Sequence, residues 1–196
     1  MPSLPNMAIG GSIVPEFNRA AYWERRYQSG GTSGPGSQGQ EARYKAQLVT
    51  DAVRDYGIQS ILDLGSGDGV VAAMLPAALD YVGFDPAPTA VSRAQLAAPD
   101  RRFTASIPPQ PFDATLSMDV LFHLVADDDY KKYLDLVFCR PLRFAMVYGT
   151  CEDRRGAPHV RHRDWLRDVP PTFQLLASQA SDTFKDWWLF GRVRHD

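Results

Sequence analysis

The run Ile61-Leu-Asp-Leu-Gly-Ser-Gly-Asp-Gly69 constrains this chain more than any other segment. An apolar stretch of strand character, Ser60–Leu64, passes directly into glycines at alternate positions. Gly65, Gly67 and Gly69 permit a sharp turn and let backbone approach a ligand closely. A helix is expected to open after Gly69 and to end at Pro76. Its unpaired N–H groups and dipole would suit the carboxylate end of a cofactor. One strand later, Tyr81-Val-Gly-Phe-Asp85 sets a carboxylate at a strand C-terminus, about as far downstream as the acid that grips a ribose diol in nucleotide sites. Because position 70 is Val, the loop reads Gly-x-Gly-x-Gly and departs from the Gly-x-Gly-x-x-Gly of dinucleotide sites. That weakens a dehydrogenase reading, while an ordinary tight turn with Asp85 as a helix cap remains the bland alternative.

The pattern around this run alternates short apolar segments with helical ones, which predicts an α/β fold with a mostly parallel sheet and helices on both faces. Seven strands are expected, near Ser60–Leu64, Tyr81–Phe84, Arg102–Ala105, Ala114–Met118, Arg143–Tyr148, Phe173–Leu176 and Asp186–Val193. The last two have no helix between them and should form an antiparallel edge pair. Helices are expected over 20–27, 41–56, 89–97 and 128–138, and near Arg163–Arg167. Residues 1–40 read as an N-terminal arm and glycine-rich lid, and 41–196 as a single domain, which suits a chain of 196 residues.

Composition narrows the partners. With 21 Lys and Arg against 23 Asp and Glu there is no cationic surplus for a nucleic acid backbone, so nucleic acid is not an expected partner. No apolar run is long enough to cross a bilayer and no signal peptide is evident, so no membrane role is expected. Cys139 and Cys151 form neither a disulfide framework nor a metal-ligand pair, and the expected compartment is the cytoplasm.

The glycine loop, the acid Asp85 and the stretch Phe112-Asp-Ala-Thr-Leu-Ser-Met-Asp-Val-Leu-Phe-His-Leu124 together resemble the class I, Rossmann-like methyltransferases. That resemblance implies S-adenosyl-L-methionine as cofactor, bound by Asp63, Gly65, Gly67, Gly69 and Asp85, with Ser106 and Ile107 framing the adenine. Ser106 departs from the Asp that many members place there. Tyr22-Trp-Glu-Arg-Arg-Tyr-Gln-Ser-Gly-Gly-Thr-Ser-Gly-Pro-Gly-Ser and Arg43-Tyr-Lys-Ala further resemble a group of small bacterial methyltransferases that includes sugar O-methyltransferases. Tyr22, Trp23 and Arg26 would then sit on a lid over the cofactor, although the same aromatics would serve equally well in a homodimer contact.

Methyl transfer to a hydroxyl needs a positioned nucleophile and a proton acceptor. Asp119, at the expected end of the fourth strand, and His123, four residues on, are the catalytic candidates. His123 would be the base and Asp119 its orienting partner, if a helical turn brings them together. A His at this place that merely braces a helix is an equal alternative. Beyond the fifth strand, Tyr148, Glu152, His159, Arg161, His162 and Trp165 are candidates for substrate binding, the aromatics by stacking and the rest by hydrogen bonds. His159-x-x-His162 with Glu152 or Asp153 could also offer donors to a divalent metal such as Mg2+, but the spacing is not diagnostic.

The expected function is O-methylation of a small polar acceptor, a sugar or oligosaccharide such as a mannoside. The alternatives are a methyltransferase for another small molecule at nitrogen or a phenol, and a noncatalytic cofactor-binding partner subunit.

Overall fold

A computed structural model describes residues 18–181 and 184–193. Residues 1–17, the first part of the expected arm, lie outside that range. Element order is α1 (Arg19–Gln28), α2 (Gly39–Tyr56), β1 (Ser60–Leu64), β2 (Asp80–Phe84), α3 (Pro88–Ala97), β3 (Arg102–Thr104), β4 (Phe112–Met118), α4 (Asp127–Cys139) and β5 (Pro141–Gly149). A two-stranded ribbon, β6 (Arg154–Arg155) and β7 (Arg161–His162), precedes β8 (Phe173–Gln179) and β9 (Asp186–Arg192).

The seven-stranded sheet runs β3-β2-β1-β4-β5-β9-β8. β1 pairs in parallel with β2 on one side and β4 on the other, while β9 runs antiparallel to both β5 and β8. Chain order reverses at β1, so a crevice opens beyond its C-terminal end, between the ends of β2 and β4. The glycine loop leaves β1 into that crevice. All seven strands lie where the sequence pattern puts them, and the edge pair is antiparallel as its missing helix requires.

Alternation along β1 explains how the two faces are filled. Ile61 joins a core with Val49, Tyr81 and Met146 beneath α2, whereas Leu62 and Leu64 point into a second core with Tyr133, Val137, Phe138 and Trp188 beneath α4. α2 ends at Gly57, whose φ of 58° lets the chain leave the helix in the left-handed conformation. Asn18 caps α1 by accepting from the backbone N–H of Ala21 at 3.0 Å.

Two expected helices form only as 3-10 turns. After Gly69 the chain makes only a single 3-10 turn, Ala72–Met74. Six residues separate Gly69 from Pro76, fewer than two α-turns, and the residue before a proline is driven toward extended backbone, as Leu75 is at ψ 155°. The segment near Arg163–Arg167 is likewise a 3-10 turn, Trp165–Asp168. Among the described residues no helix is long and apolar enough to cross a membrane.

Candidate active site

The glycine loop is pinned before any ligand is considered. The N–H groups of Gly65 and Ser66 both donate to the carbonyl of Phe84, at 2.7 and 3.0 Å. A Cβ at Gly65 would stand 2.5 Å from Val120, and one at Gly67 would stand 2.3 Å from the Ser33 hydroxyl. Asp85 accepts from the backbone N–H of Gly67 at 3.1 Å and of Ala87 at 2.9 Å, so it shapes the loop from across the crevice. Burial pushes its carboxyl up to about 6, against the pull of those two N–H groups and of the Arg19 charge. Asp63 lies behind the loop, accepting from the Tyr81 hydroxyl at 2.7 Å, and burial pushes it up to about 7. Gly69 differs: its missing Cβ makes room for Ala94 of α3 at 2.8 Å, so it serves packing.

α1 and the loop that follows close over this crevice. Glu24 accepts from the N–H and hydroxyl of Thr89 at 3.0 and 2.6 Å. Arg93 of α3 reaches the carbonyls of Gly31 and Tyr27 at 2.6 and 2.5 Å. At the tip, the Ser33 hydroxyl donates to Asp68 at 2.7 Å and receives the Asp68 N–H at 3.1 Å, with the Tyr27 hydroxyl 2.9 Å away. Beneath this cover lies a cleft with Gly65, Gly67, Asp85, Arg19, Tyr133 and His123 on its walls. Among the described residues, three buried polar atoms near it lack a hydrogen-bond partner: Arg19 Nη1, Ser66 Oγ and Asp63 Oδ1. Such groups are free to bond a polar ligand or ordered water in the cleft.

Asp119 and His123 both line the cleft but do not form the expected pair. Asp119 adopts a φ of 58°, rare for a non-glycine residue, which turns its carboxylate toward two ammonium groups. Lys45 Nζ approaches at 2.5 Å and Lys185 Nζ at 3.0 Å. His123 closes a 3-10 turn, Leu121–His123, and its Nδ1 lies 3.2 Å from the His159 carbonyl. That carbonyl can only accept, so Nδ1 carries the proton and Nε2 keeps its lone pair. Burial is the main cause pushing His123 down to about 4; the Asp119 charge acts in the opposite sense.

A second cavity of about 350 Å³ opens outward from His123, walled by Tyr22, Phe122, Phe184, His159 and His162. Tyr22 stacks on His159 with ring centroids 5.0 Å apart, and His159 lies parallel to His123 at 5.9 Å. Thr150 Oγ1 lies 2.6 Å from His162 Nδ1. Tyr22 and Arg26, expected at the cofactor, line this outer cavity.

Several substrate candidates lie elsewhere. Trp165 is 1% exposed, donates Nε1–H to the Thr150 carbonyl at 3.0 Å and packs edge-on against Trp188, so it belongs to the core. Tyr148 is buried between Lys45 and Tyr44 and reaches Glu41 at 3.2 Å. Glu152 pairs with Arg154 at 3.0 Å on the surface, and Arg161 pairs with Asp127 at 2.8 Å. Ser106 is exposed and Ile107 packs at the edge of the second core; neither lines the cleft, whose wall beyond β2 is Phe84 and Pro86. Asp153 pairs with Arg167, and among the described residues no three metal-ligating side chains converge.

Sequence reasoning passed over Lys45, Lys185, Arg19 and Ser33. Lys45 was within reach, since it lies four residues before Val49 and seven before Ala52, on the apolar stripe of α2. A lysine on such a stripe implies a buried partner. Lys185 and Arg19 carry no comparable local signal.

Residues 62–138 match the family model described as a methyltransferase domain. S-adenosylmethionine is the methyl donor of such domains. Solved methyltransferases share the fold. Magnesium protoporphyrin IX methyltransferase from Synechocystis PCC 6803, with bound S-adenosylmethionine, superposes with a TM-score of 0.70 at 15% identity, over 91% of this chain and 99% of that one. The N-methyltransferase NodS from Bradyrhizobium japonicum WM9, in complex with S-adenosylhomocysteine, gives 0.71 at 14% identity, over 91% and 100%. At such identities the likeness is one of fold. No curated protein matches the sequence significantly.

Proposed function

We propose that this protein is an S-adenosylmethionine-dependent O-methyltransferase for a small polar acceptor, a sugar or oligosaccharide such as a mannoside, with His123 as the base. The observation that carries the reading is a shared wall: Trp23, Ser33, Asp119 and His123 line both the inner cleft and the outer cavity. Two ligands placed in those cavities would meet at His123, the juxtaposition a group transfer needs.

The inner cleft suits the donor on its own features. Asp85 has lone pairs beyond those used by Gly67 and Ala87, enough for a ribose diol. Arg19, with an unpartnered nitrogen, supplies positive charge for the donor's carboxylate. When bound, the donor supplies an electrophilic methyl on a sulfonium, which becomes a neutral thioether on transfer. His123, uncharged at neutral pH, accepts the hydroxyl proton on Nε2 as the acceptor oxygen bonds to carbon. The nearby Asp119 charge then favours the imidazolium. The closed segment over the cleft keeps water from competing for the methyl group.

The sugar preference rests on the resemblance of Tyr22-Trp-Glu and Gly30-Gly-Thr-Ser-Gly34 to sugar O-methyltransferases, in particular the methylmannose polysaccharide 1-O-methyltransferases. The stacked rings of Tyr22 and His159 offer faces for a sugar. Calorimetric titration of S-adenosylmethionine and S-adenosylhomocysteine, with Asp85→Ala as control, tests the donor site. Incubation with mannosides and mass detection of a methylated product tests the acceptor. Saturable donor binding that the variant weakens supports the reading; its absence removes it.

A further inference from the structure

The whole chain carries slightly more acid than base, 23 against 21, yet the outer cavity is cationic. Arg26, Arg154 and Lys185 line it, and Asp119 is the one carboxylate on its walls among the described residues. That carboxylate is shared between Lys185 and the buried Lys45, so the cluster as a whole carries more positive than negative charge. Arg26 is held in place by its Nε bond to the Thr32 carbonyl at 2.8 Å and by the Trp23 ring 5.6 Å away, and among the described residues it has no acid partner. Arg154 lies over Phe184, and its pairing with Glu152 is half-exposed, the kind that solvent screens and a ligand can displace. Aromatic walls lower the local dielectric and strengthen the field between these cations.

We propose that the acceptor carries an oxyacid group, a carboxylate or a phosphate ester, held by Arg26, Arg154 and Lys185 while its ring lies against the aromatic walls and its hydroxyl faces His123. This rests on the methyl-transfer reading above and replaces its neutral mannoside by an anionic ring compound, a sugar or a phenol. Arginine forks suit such groups because two parallel N–H donors match two oxygens.

The full chain, saturated with S-adenosylhomocysteine, is titrated calorimetrically with mannose 1-phosphate, glucuronate and 4-hydroxybenzoate, and with the neutral counterparts methyl α-mannoside and 4-hydroxybenzamide. At least one anion is expected to bind about tenfold more tightly than its neutral counterpart, a preference that rising salt erodes. The anion that leads identifies the ring as sugar or aromatic. Arg154→Gln should weaken that anion about fivefold and Arg154→Lys should keep most of it, while neither variant changes S-adenosylhomocysteine binding. Neutral counterparts that bind as well, anions that do not bind saturably, or an Arg154→Gln variant that binds like wild type overturn the proposal. Absence of S-adenosylhomocysteine binding instead overturns the transferase reading, and the two failures are read in separate titrations.

Discussion

Lys45, in the first turns of α2, places its ammonium 2.5 Å from the carboxylate of Asp119, at the mouth of the cleft and far away in sequence. Lys45 is 1% exposed, and its desolvation holds its pKa below the usual lysine range despite the acid beside it. Lys45→Met removes that charge and leaves Asp119 to Lys185 alone. Chemical denaturation should show a loss of about 3 kcal/mol, typical of breaking one side of a buried pair. A loss below about 0.5 kcal/mol would mean that the pair adds nothing to the fold.

Asp85 gives a pH signature. Its folded pKa, pushed up to about 6 from an ordinary 3.8, means the folded state binds the proton more tightly than the unfolded chain. Its contribution is therefore complete below pH 3.8 and is lost as pH rises through about 6. Asp85→Asn, which cannot titrate, should gain on wild type by about 2–3 kcal/mol between pH 4 and pH 7. Donor binding should run the other way, because only the ionised carboxylate accepts a diol. S-adenosylhomocysteine affinity should fall about tenfold from pH 7 to pH 5 in wild type and stay flat in the variant. A flat wild-type profile would count against Asp85 as the ribose contact.

His123→Ala should still bind S-adenosylhomocysteine saturably, within a few-fold of wild type, and lose about 100-fold or more in turnover. Burial holds His123 near 4 in the free protein, so no limb near the ordinary histidine value should appear in the pH profile of wild-type kcat/KM. Unchanged turnover in the variant would remove His123 as the base.

The Ser33 hydroxyl joins Tyr27, Asp68 and the glycine loop. Ser33→Ala deletes these bonds at about 1 kcal/mol each, which should speed S-adenosylhomocysteine dissociation by about fivefold or more in stopped-flow measurements. It should also raise proteolytic cleavage between 28 and 38. Identical off-rates would mean the segment does not gate the cleft.

Trp165→Ala should cost about 3–5 kcal/mol through the cavity it leaves against Trp188 and Phe190. Trp165→Phe, which keeps most of the volume, should leave acceptor KM unchanged. A large KM change in that variant would return Trp165 to the substrate site.

The parts of the site that were legible in the sequence are those where local chain chemistry dictates position. β1, its glycines and Asp85 follow from a strand, a forced turn and the next strand in register. The Asp119–His123 pairing failed because spacing of four meets on one face only in an α-helix, and here a left-handed residue is followed by a 3-10 turn. Trp165 and Tyr148 were misplaced because an aromatic near a strand end reads the same whether it faces a ligand or the core. The cationic ring of Arg26, Arg154 and Lys185 assembles from three distant segments, and pairing over such distances leaves no trace in local pattern.

The wall common to both cavities has an experimental consequence. Trp23, Ser33, Asp119 and His123 each face two rooms, so a substitution at any of them changes the furnishings of both. Kinetic constants for the two ligands cannot be varied independently there, and a defect assigned to one substrate from such a variant needs the other substrate's affinity measured beside it.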